Sequence, residues 1–280
     1  MKICSGNIVL LKESIDNNLD KNLFLVHDGS GDIGGYLEFA YKMNSKYNIY
    51  GIRKTSLNIG PENLTIEELA SSYIKQMKNL QKHGPYNVGG WSTGGIIAFE
   101  MASQLEKLGD EVERLIMIDS RFFQYKRDIS EFNIDTEKRY IRNIFINNLI
   151  DKYIDKKYNI EKIWQNILSY DKIKNEVIFI EEKYKKLISN FDFISNCDKM
   201  QQVNKIRTLE RACSLYYPQC SLKANCYFIK PSYEKNKELE ELKKYFLKPI
   251  NMSILTGDHF SIMKNPNVNN LVDLIKIIIS

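Results

Sequence analysis

Short apolar runs alternate with amphipathic helical patterns over residues 1–120 of the chain. The runs are bounded by Gly, Asp or Ser, as is typical of strands buried on both faces of a parallel sheet. They are Leu23 to His27, Asn48 to Ile52, Tyr86 to Trp91 and Arg114 to Asp119. This order predicts a doubly wound, mostly parallel α/β sheet, in which ligands bind outside the carboxyl ends of the strands.

Two helices between these strands have clear boundaries. Thr65, with Glu68 three residues later, forms a capping box, and the helix that it begins ends before the Gly-Pro pair at 84–85. A second helix begins after Ser92 and ends at Gly109, with apolar residues at helical spacing on one face.

The pattern changes after residue 120. From there to about residue 222 the chain is rich in Lys, Tyr and Asn and shows helical periodicity without a convincing strand. Strand patterns resume at 224–229 and 250–255, with a charged helix near 235–246 and an apolar helix at 268–279. We therefore predict a core of residues 1–120 and 224–280 that carries a helical insertion over 121–223.

Composition excludes several classes of protein. With 43% apolar and 27% charged residues, the 280-residue chain is typical of globular proteins. The net charge of +5 comes from 40 basic and 35 acidic residues that are spread along the chain, which argues against nucleic-acid binding. Five cysteines without C-x-x-C spacing argue against a disulfide framework or a zinc site, and no apolar stretch approaches the ~18 residues of a membrane span. We expect a cytoplasmic monomer without metal or cofactor.

The segment Gly90-Trp91-Ser92-Thr93-Gly94 fits the pattern G-x-S-x-G. It follows a predicted strand and begins a predicted helix, which is the context of a nucleophile turn that exposes a serine hydroxyl at the edge of the sheet. The context predicts Ser92 as a catalytic nucleophile.

A serine nucleophile needs a histidine base, and the chain has three histidines. His83 ends a predicted helix and is interpreted as a surface residue or a partner of the helix C-terminal dipole. His27 ends the first predicted strand and is interpreted as structural. His259 directly follows the last predicted strand, where a fold of this kind places its base. We predict His259 as the general base.

The acid that orients the histidine has two candidates. Asp119 ends the strand that follows the serine helix, and Glu234 follows the next strand. Asp258 is too close to His259 in sequence to orient its ring easily. The residues alone leave Asp119 and Glu234 open.

An oxyanion hole requires two backbone N–H groups directed at the developing charge. Thr93, directly after the nucleophile, supplies one. The loop His27-Asp28-Gly29-Ser30-Gly31 is expected to supply the other, with Gly29 as first choice and Ser30 as second. This loop lacks the G-x-G-x-x-G pattern and the lysine of a phosphate-binding loop.

Several segments together resemble the thioesterase domains of nonribosomal peptide and polyketide synthetases. They are Leu23 to Gly35, Tyr50 to Ile52, Thr65 to Ala70, Gly84 to Tyr86, Gly89 to Gly95, Ala98 to Ala102, Leu115 to Ser120 and Gly257 to Phe260. The resemblance implies an α/β-hydrolase fold with a helical lid formed by the insertion. It also favours Asp119 over Glu234 as the acid.

By the same resemblance, the substrate is an acyl or peptidyl chain bound as a thioester to the phosphopantetheine arm of a carrier protein. Ser92 would take the chain as an ester, and His259 would then activate water for hydrolysis or an amine or hydroxyl of the chain for cyclisation. Tyr125, Tyr140 and Tyr184 of the insertion are candidates for the acyl channel, although solvated helix faces are the simpler interpretation.

The chain also departs from this family. Asp28-Gly29 stands where relatives often have a proline, and no carrier domain with its Asp-Ser attachment site precedes Leu23, so we expect an excised terminal domain or a free-standing enzyme. Trp91 and Thr93 favour the chain-terminating type over the editing type, which more often has His and Met there. An editing thioesterase and a non-catalytic hydrolase-like binding protein are the alternatives.

Overall fold

The computed structural model describes residues 2–16, 21–54, 64–120, 208–209, 211–232 and 242–280. The described strands are β1 (Lys2–Ser5), β2 (Ile8–Lys12), β3 (Asn22–Val26), β4 (Asn48–Ile52), β5 (Tyr86–Trp91), β6 (Val112–Ile118), β7 (Asn225–Pro231) and β8 (Asn251–Leu255). The longer described helices are α1 (Leu37–Lys42), α2 (Ile66–Met77), α3 (Thr93–Lys107) and α4 (Val268–Ile279).

The eight described strands form one sheet in the order β1-β2-β4-β3-β5-β6-β7-β8. All neighbours from β4 to β8 pair in parallel, whereas β1 with β2 and β2 with β4 pair antiparallel. The predicted mostly parallel α/β-hydrolase sheet is confirmed. The antiparallel strands β1 and β2 were not predicted, because short apolar runs at the start of the chain do not reveal their pairing.

Helices cover both faces of the sheet. Along β3, Phe24 faces the core that contains α2 and α3, and its neighbour Leu25 faces the core that contains α1 and α4. All five residues of β3 are buried, as are all six of β5, as is typical of strands in a parallel sheet that is covered on both faces.

The start of α2 follows from its first turn, whereas its end at Met77 comes earlier than the predicted end at the Gly-Pro pair 84–85. Thr65 Oγ1 accepts the backbone N–H of Glu68 at 3.1 Å, and Glu68 Oε2 accepts the backbone N–H of Thr65 at 3.3 Å. The predicted capping box is therefore confirmed. Parallel pairing places the carboxyl ends of β3, β5, β6 and β8 at one edge of the sheet, and the loops that follow these strands carry every predicted site residue that the structure describes.

The predicted insertion, 121–223, lies mostly outside the described residues, so its helical character and its boundaries stay predictions. Its described end packs on the core: residues 211–215 are helical, and Leu209 and Cys213 are buried in the same core as α3. The hydroxyl of Tyr216 donates to Glu100 Oε2 in α3 at 2.7 Å. Glu234, the lid tyrosines and most of the predicted helix near 235–246 lie outside the described residues.

Candidate active site

Ser92 lies at the turn between β5 and α3, with φ 58° and ψ −125°. A positive φ is uncommon for a residue with a side chain, and such strain concentrates at functional sites. The turn is held from both sides, because Ser92 N donates to Ile118 O at 2.8 Å and Gly95 N donates to Ser92 O at 3.1 Å. The strained strand-to-helix turn expected of a nucleophile is therefore present.

The glycines that follow Ser92 let α3 approach the sheet closely. A Cβ on Gly94 would lie 2.6 Å from the carbonyl oxygen of His27, and one on Gly95 would lie 2.6 Å from Ser120 Cβ. Real Cβ atoms essentially never come so close to other atoms. Small residues at these positions thus bring the first turn of α3 against the end of β3, where the predicted oxyanion loop begins.

Asp119 and His259 meet at the same edge of the sheet. The two atoms His259 Nδ1 and Asp119 Oδ2 lie 2.5 Å apart, although the residues are separated by 140 positions. The side chain of Asp119 is only 2% exposed, and that of His259 is 29% exposed. Because a carboxylate can only accept, Nδ1 donates, which leaves Nε2 of a neutral imidazole as the acceptor that a general base requires.

The backbone conformation of Asp119 is also constrained. Its φ is 44°, the second positive φ of a described non-glycine residue, and its N–H donates to Ile229 O at 2.8 Å. This bond continues the pairing of β6 with β7 by one residue beyond the end of β6. The carboxylate is thereby presented from a buried and rigid position.

Ser92 and His259 are linked through Trp91. The indole Nε1 of Trp91 donates to the backbone carbonyl of His259 at 3.0 Å, and the two rings lie 5.2 Å apart between centroids. Within the described residues, the Ser92 hydroxyl and the imidazole share no direct hydrogen bond. In enzymes without bound substrate such a bond is often long, and it tightens in the substrate complex.

The loop after β3 is a tight turn built around Asp28. Asp28 Oδ1 accepts the N–H of Ser30 at 2.7 Å, and Asp28 O accepts the N–H of Gly31 at 3.0 Å. The described hydrogen bonds use the N–H groups of Ser30 and Gly31 but not that of Gly29. Gly29 therefore suits the second oxyanion donor better than Ser30, while Thr93 N–H lies in the first turn of α3.

Burial raises the pKa of the Asp28 carboxyl. The hydrogen bonds from Ser30 oppose this shift, Asp32 adds to it by charge repulsion, and the imidazole of His259 lowers it. A carboxylate in this loop is thus electrostatically linked to the proposed base.

His27 has contacts that fit its predicted structural role. His27 is fully buried; its Nδ1 donates to Asp28 O at 2.7 Å and its Nε2 accepts from Tyr73 OH at 2.8 Å. Both ring nitrogens are therefore occupied. His83 is exposed in the turn before β5.

Asp258 caps the short 3₁₀ helix Ser261–Met263. Its Oδ1 accepts the N–H groups of Phe260 and Ser261, both at 2.9 Å, and these hydrogen bonds hold the pKa of its carboxyl below the ordinary value. Its carboxylate is thus engaged by the backbone, as expected for a residue that does not orient the ring of His259.

Three residues around the site were not predicted from the sequence as participants: Tyr36, Asp28 and the indole of Trp91. Tyr36 OH donates to Val26 O at 2.6 Å and accepts the N–H of Trp91 at 2.7 Å, which ties β3 to the residue before Ser92. These partners are 10 and 55 positions from Tyr36, so no local pattern marks them.

The described residues hold no group of three His, Cys, Asp or Glu side chains that could bind a metal ion. None of the helices in the described ranges has both the length and the apolar character needed to cross a bilayer.

Comparisons with known proteins identify the family and the fold of the chain. A family model described as Thioesterase domain matches residues 21–279. The chain is 36% identical over 97 residues to Inactive atromentin synthetase invA6 of Paxillus involutus, which is 35% of this chain and 10% of that protein. It is 36% identical over 115 residues to Non-reducing polyketide synthase ntnG of Nectria sp, which is 40% of this chain and 6% of that protein. The chain thus spans a tenth or less of the length of these curated relatives.

A solved four-domain nonribosomal peptide synthetase, bound to AMP and glycine, has a similar fold. It matches with a TM-score of 0.77 and 21% identity over 97% of this chain and 20% of its own. The thioesterase domain NocB, in covalent complex with a fluorophosphonate nocardicin G analogue, matches with a TM-score of 0.66 and 17% identity over 98% of this chain and 100% of its own. At these identities the similarity establishes the fold.

Proposed function

The chain belongs to the thioesterase domain family, and on that premise we propose that it releases an acyl or peptidyl chain from the phosphopantetheine arm of a carrier protein through a serine ester. The product forms by hydrolysis or by cyclisation. The proposed triad is Ser92, Asp119 and His259, with the backbone N–H groups of Gly29 and Thr93 as the oxyanion hole.

One observation carries this proposal. Asp119 and His259 form a partly buried 2.5 Å contact at the edge of the sheet where Ser92 occupies its strained turn. The three residue types that serine hydrolases require thus follow three strands whose carboxyl ends lie at one edge of the sheet. A protein that only bound a ligand would have no need of this arrangement.

In the first half of the reaction, Ser92 Oγ attacks the thioester carbonyl carbon, and His259 Nε2 takes the hydroxyl proton. The charge that develops on the carbonyl oxygen is stabilised by the two backbone N–H groups. When the tetrahedral intermediate collapses, the carbon–sulfur bond breaks and the pantetheine sulfur takes the proton from His259. The acyl chain remains on Ser92 as an ester.

In the second half, His259 takes a proton from a second nucleophile that attacks the ester. Water gives a free acid, whereas an amine or hydroxyl of the chain itself gives a ring. In either case Ser92 Oγ leaves and receives the proton back from His259. Asp119 holds the Nδ1–H tautomer and stabilises the imidazolium in both halves.

The first experiment is incubation with a panel of acyl and peptidyl phosphopantetheine thioesters, followed by intact mass measurement. We expect an adduct on the wild-type protein and none on Ser92→Ala, whose turnover falls at least about a thousandfold. The mass of the released product separates hydrolysis from cyclisation. A Ser92→Ala variant with unchanged turnover would contradict the proposal.

The same experiment addresses the editing alternative. An editing thioesterase that clears misprimed carrier proteins would turn over short acyl groups faster than long ones. A fluorophosphonate that labels Ser92 in the absence of thioester turnover would indicate that the carrier protein itself is required.

A further inference from the structure

Trp91 connects the nucleophile turn with the loop of the base. Its indole N–H donates to the carbonyl oxygen of His259 at 3.0 Å, across 168 positions of sequence. Its ring also lies against the imidazole, with 5.2 Å between centroids and 36° between planes. The side chain of one residue therefore contacts both the backbone and the ring of His259.

Trp91 is itself held firmly. Its backbone N–H donates to Tyr36 OH at 2.7 Å, and its ring packs so closely on Gly35 that a Cβ there would lie 2.9 Å from a ring atom. The edge of Phe260 meets the indole at 6.1 Å between centroids. Only 7% of Trp91 is exposed. Because the indole of Trp91 is fixed on several sides, it can hold the backbone and the ring of His259 in place.

The loop of His259 is tied after this residue by Asp258, whose Oδ1 accepts the N–H groups of Phe260 and Ser261. It also contains Gly257 with φ +115°, and the imidazole side chain is 29% exposed. The bond to Asp119 fixes one ring nitrogen but leaves the backbone of His259 unconstrained by that contact. The indole bond fixes the backbone carbonyl of the same residue.

We propose, on the basis of the proposed function, that Trp91 is a positioning residue. It keeps the His259 ring hydrogen-bonded to Asp119 in both half-reactions. The indole N–H fixes the position of the His259 backbone, and the indole face supports the ring. An aromatic face also stabilises the protonated imidazole that forms in each half-reaction. Phenylalanine would preserve much of the packing but could not donate a hydrogen bond.

The test is Trp91→Phe, with Phe24→Leu as the control. Phe24 is fully buried in the other core and stacks on Tyr50, so its truncation lowers stability without touching His259. In Trp91→Phe we expect kcat to fall about tenfold while KM stays within about twofold, because the base is misplaced but the substrate still binds. In Phe24→Leu we expect both constants to stay within about twofold of the wild type.

Proton NMR provides a readout that does not depend on activity. A short Nδ1–H···Asp119 hydrogen bond gives a low-field proton signal, and we expect that signal to exchange with water at least about tenfold faster in Trp91→Phe but not in Phe24→Leu. If Trp91→Phe does not fold, a benzothiophene analogue of tryptophan placed at position 91 keeps the shape of the ring and removes only the N–H.

The outcomes separate the two proposals. Unchanged exchange in Trp91→Phe, or in the benzothiophene protein, would overturn the positioning role whether or not the protein is active. An equal loss of kcat in Phe24→Leu would overturn it as well, because the effect would then follow from stability alone. A wild-type protein that forms no acyl-enzyme and is not labelled by a fluorophosphonate at Ser92 would contradict the proposed function, and the NMR comparison would still decide the role of Trp91.

Discussion

The nucleophile turn and the base loop of this protein are positioned in different ways. Ser92 is held mainly by its own backbone, in a turn flanked by glycines that allow α3 to pack tightly on the sheet. His259 is held by side chains that are distant in sequence, Asp119 on the ring and Trp91 on the backbone carbonyl. One half of the site is built from local strain and the other from long-range contacts.

The difference teaches where each half is vulnerable. A strained turn is sensitive to steric bulk in the glycines that surround it, because the backbone there has no room to adjust. A base held by side chains is sensitive to the loss of single polar atoms, because each of the two side chains contributes one hydrogen bond. Substitutions that keep volume should therefore spare the turn and harm the base, and substitutions that add volume should do the reverse.

The largest expected effect is on the base side. Asp119→Asn keeps the volume but allows the amide to donate to Nδ1, which favours the wrong imidazole tautomer. We expect kcat to fall by a factor on the order of a thousand or more, with little change in the melting temperature. Steady-state kinetics and calorimetry measure the two quantities.

Asp258→Asn is the matched control, because Asp258 neighbours His259 but caps the 3₁₀ helix instead of contacting the ring. We expect its kcat to stay within about threefold of the wild type. An active Asp119→Asn enzyme together with an inactive Glu234→Gln enzyme would show that the acid was assigned to the wrong residue.

The next effect tests the nucleophile side by adding volume. Gly94→Ala places a methyl group against the carbonyl oxygen of His27. Without any shift of the backbone, the new Cβ would lie only 2.6 Å from that oxygen. We expect a loss of about 1–3 kcal/mol in the free energy of unfolding, measured in urea, together with slower labelling of Ser92 by a fluorophosphonate.

Gly34→Ala is the control for this change, because a Cβ on Gly34 would meet no atom within 4 Å. We expect its stability to lie within about 0.5 kcal/mol of the wild type. If both alanine variants behave alike, close packing at Gly94 does not hold the turn in place.

The smallest effect concerns Asp28 and depends on pH. Because burial raises its pKa in the folded protein, the folded state resists ionising this carboxyl, whereas the unfolded chain ionises near the ordinary value of 3.8. This destabilisation of the folded state is absent below pH 3.8, and it grows as the pH rises from there toward the raised pKa of the folded protein. Asn can still accept the N–H of Ser30, so Asp28→Asn should remove the penalty without opening the loop.

We therefore expect Asp28→Asn to melt a few degrees higher than the wild type at neutral pH and at nearly the same temperature near pH 3. Asp32→Asn is the comparison, because Asp32 raises the pKa of Asp28 by charge repulsion only. If the stability of Asp28→Asn relative to the wild type is the same at neutral pH as near pH 3, the ionised Asp28 carboxylate does not destabilise the folded protein.

Much of the fold was predictable because its signals are local. The predicted strand Asn48–Ile52 and the predicted helix Val268–Ile279 have the bounds that the structure gives them, and the capping box of Thr65 marks where α2 begins. The antiparallel strands β1 and β2 were missed, since a short apolar run at the start of a chain does not reveal its pairing. The catalytic roles assigned to Ser92, Asp119, His259, Gly29 and Thr93 stay predictions until activity is measured.

By itself, the sequence determined the alternation of strands and helices from β3 to β6, the strained turn at Ser92 and the histidine after the last strand, because periodicity, glycines and strand ends are local features. Only the tertiary structure decided that Asp119 contacts His259 while Asp258 caps a helix turn, and that Trp91 joins the two halves of the site. A hydrogen bond depends on a few tenths of an ångström between atoms, and over 140 or 168 positions that distance is set by how the whole sheet pairs and packs.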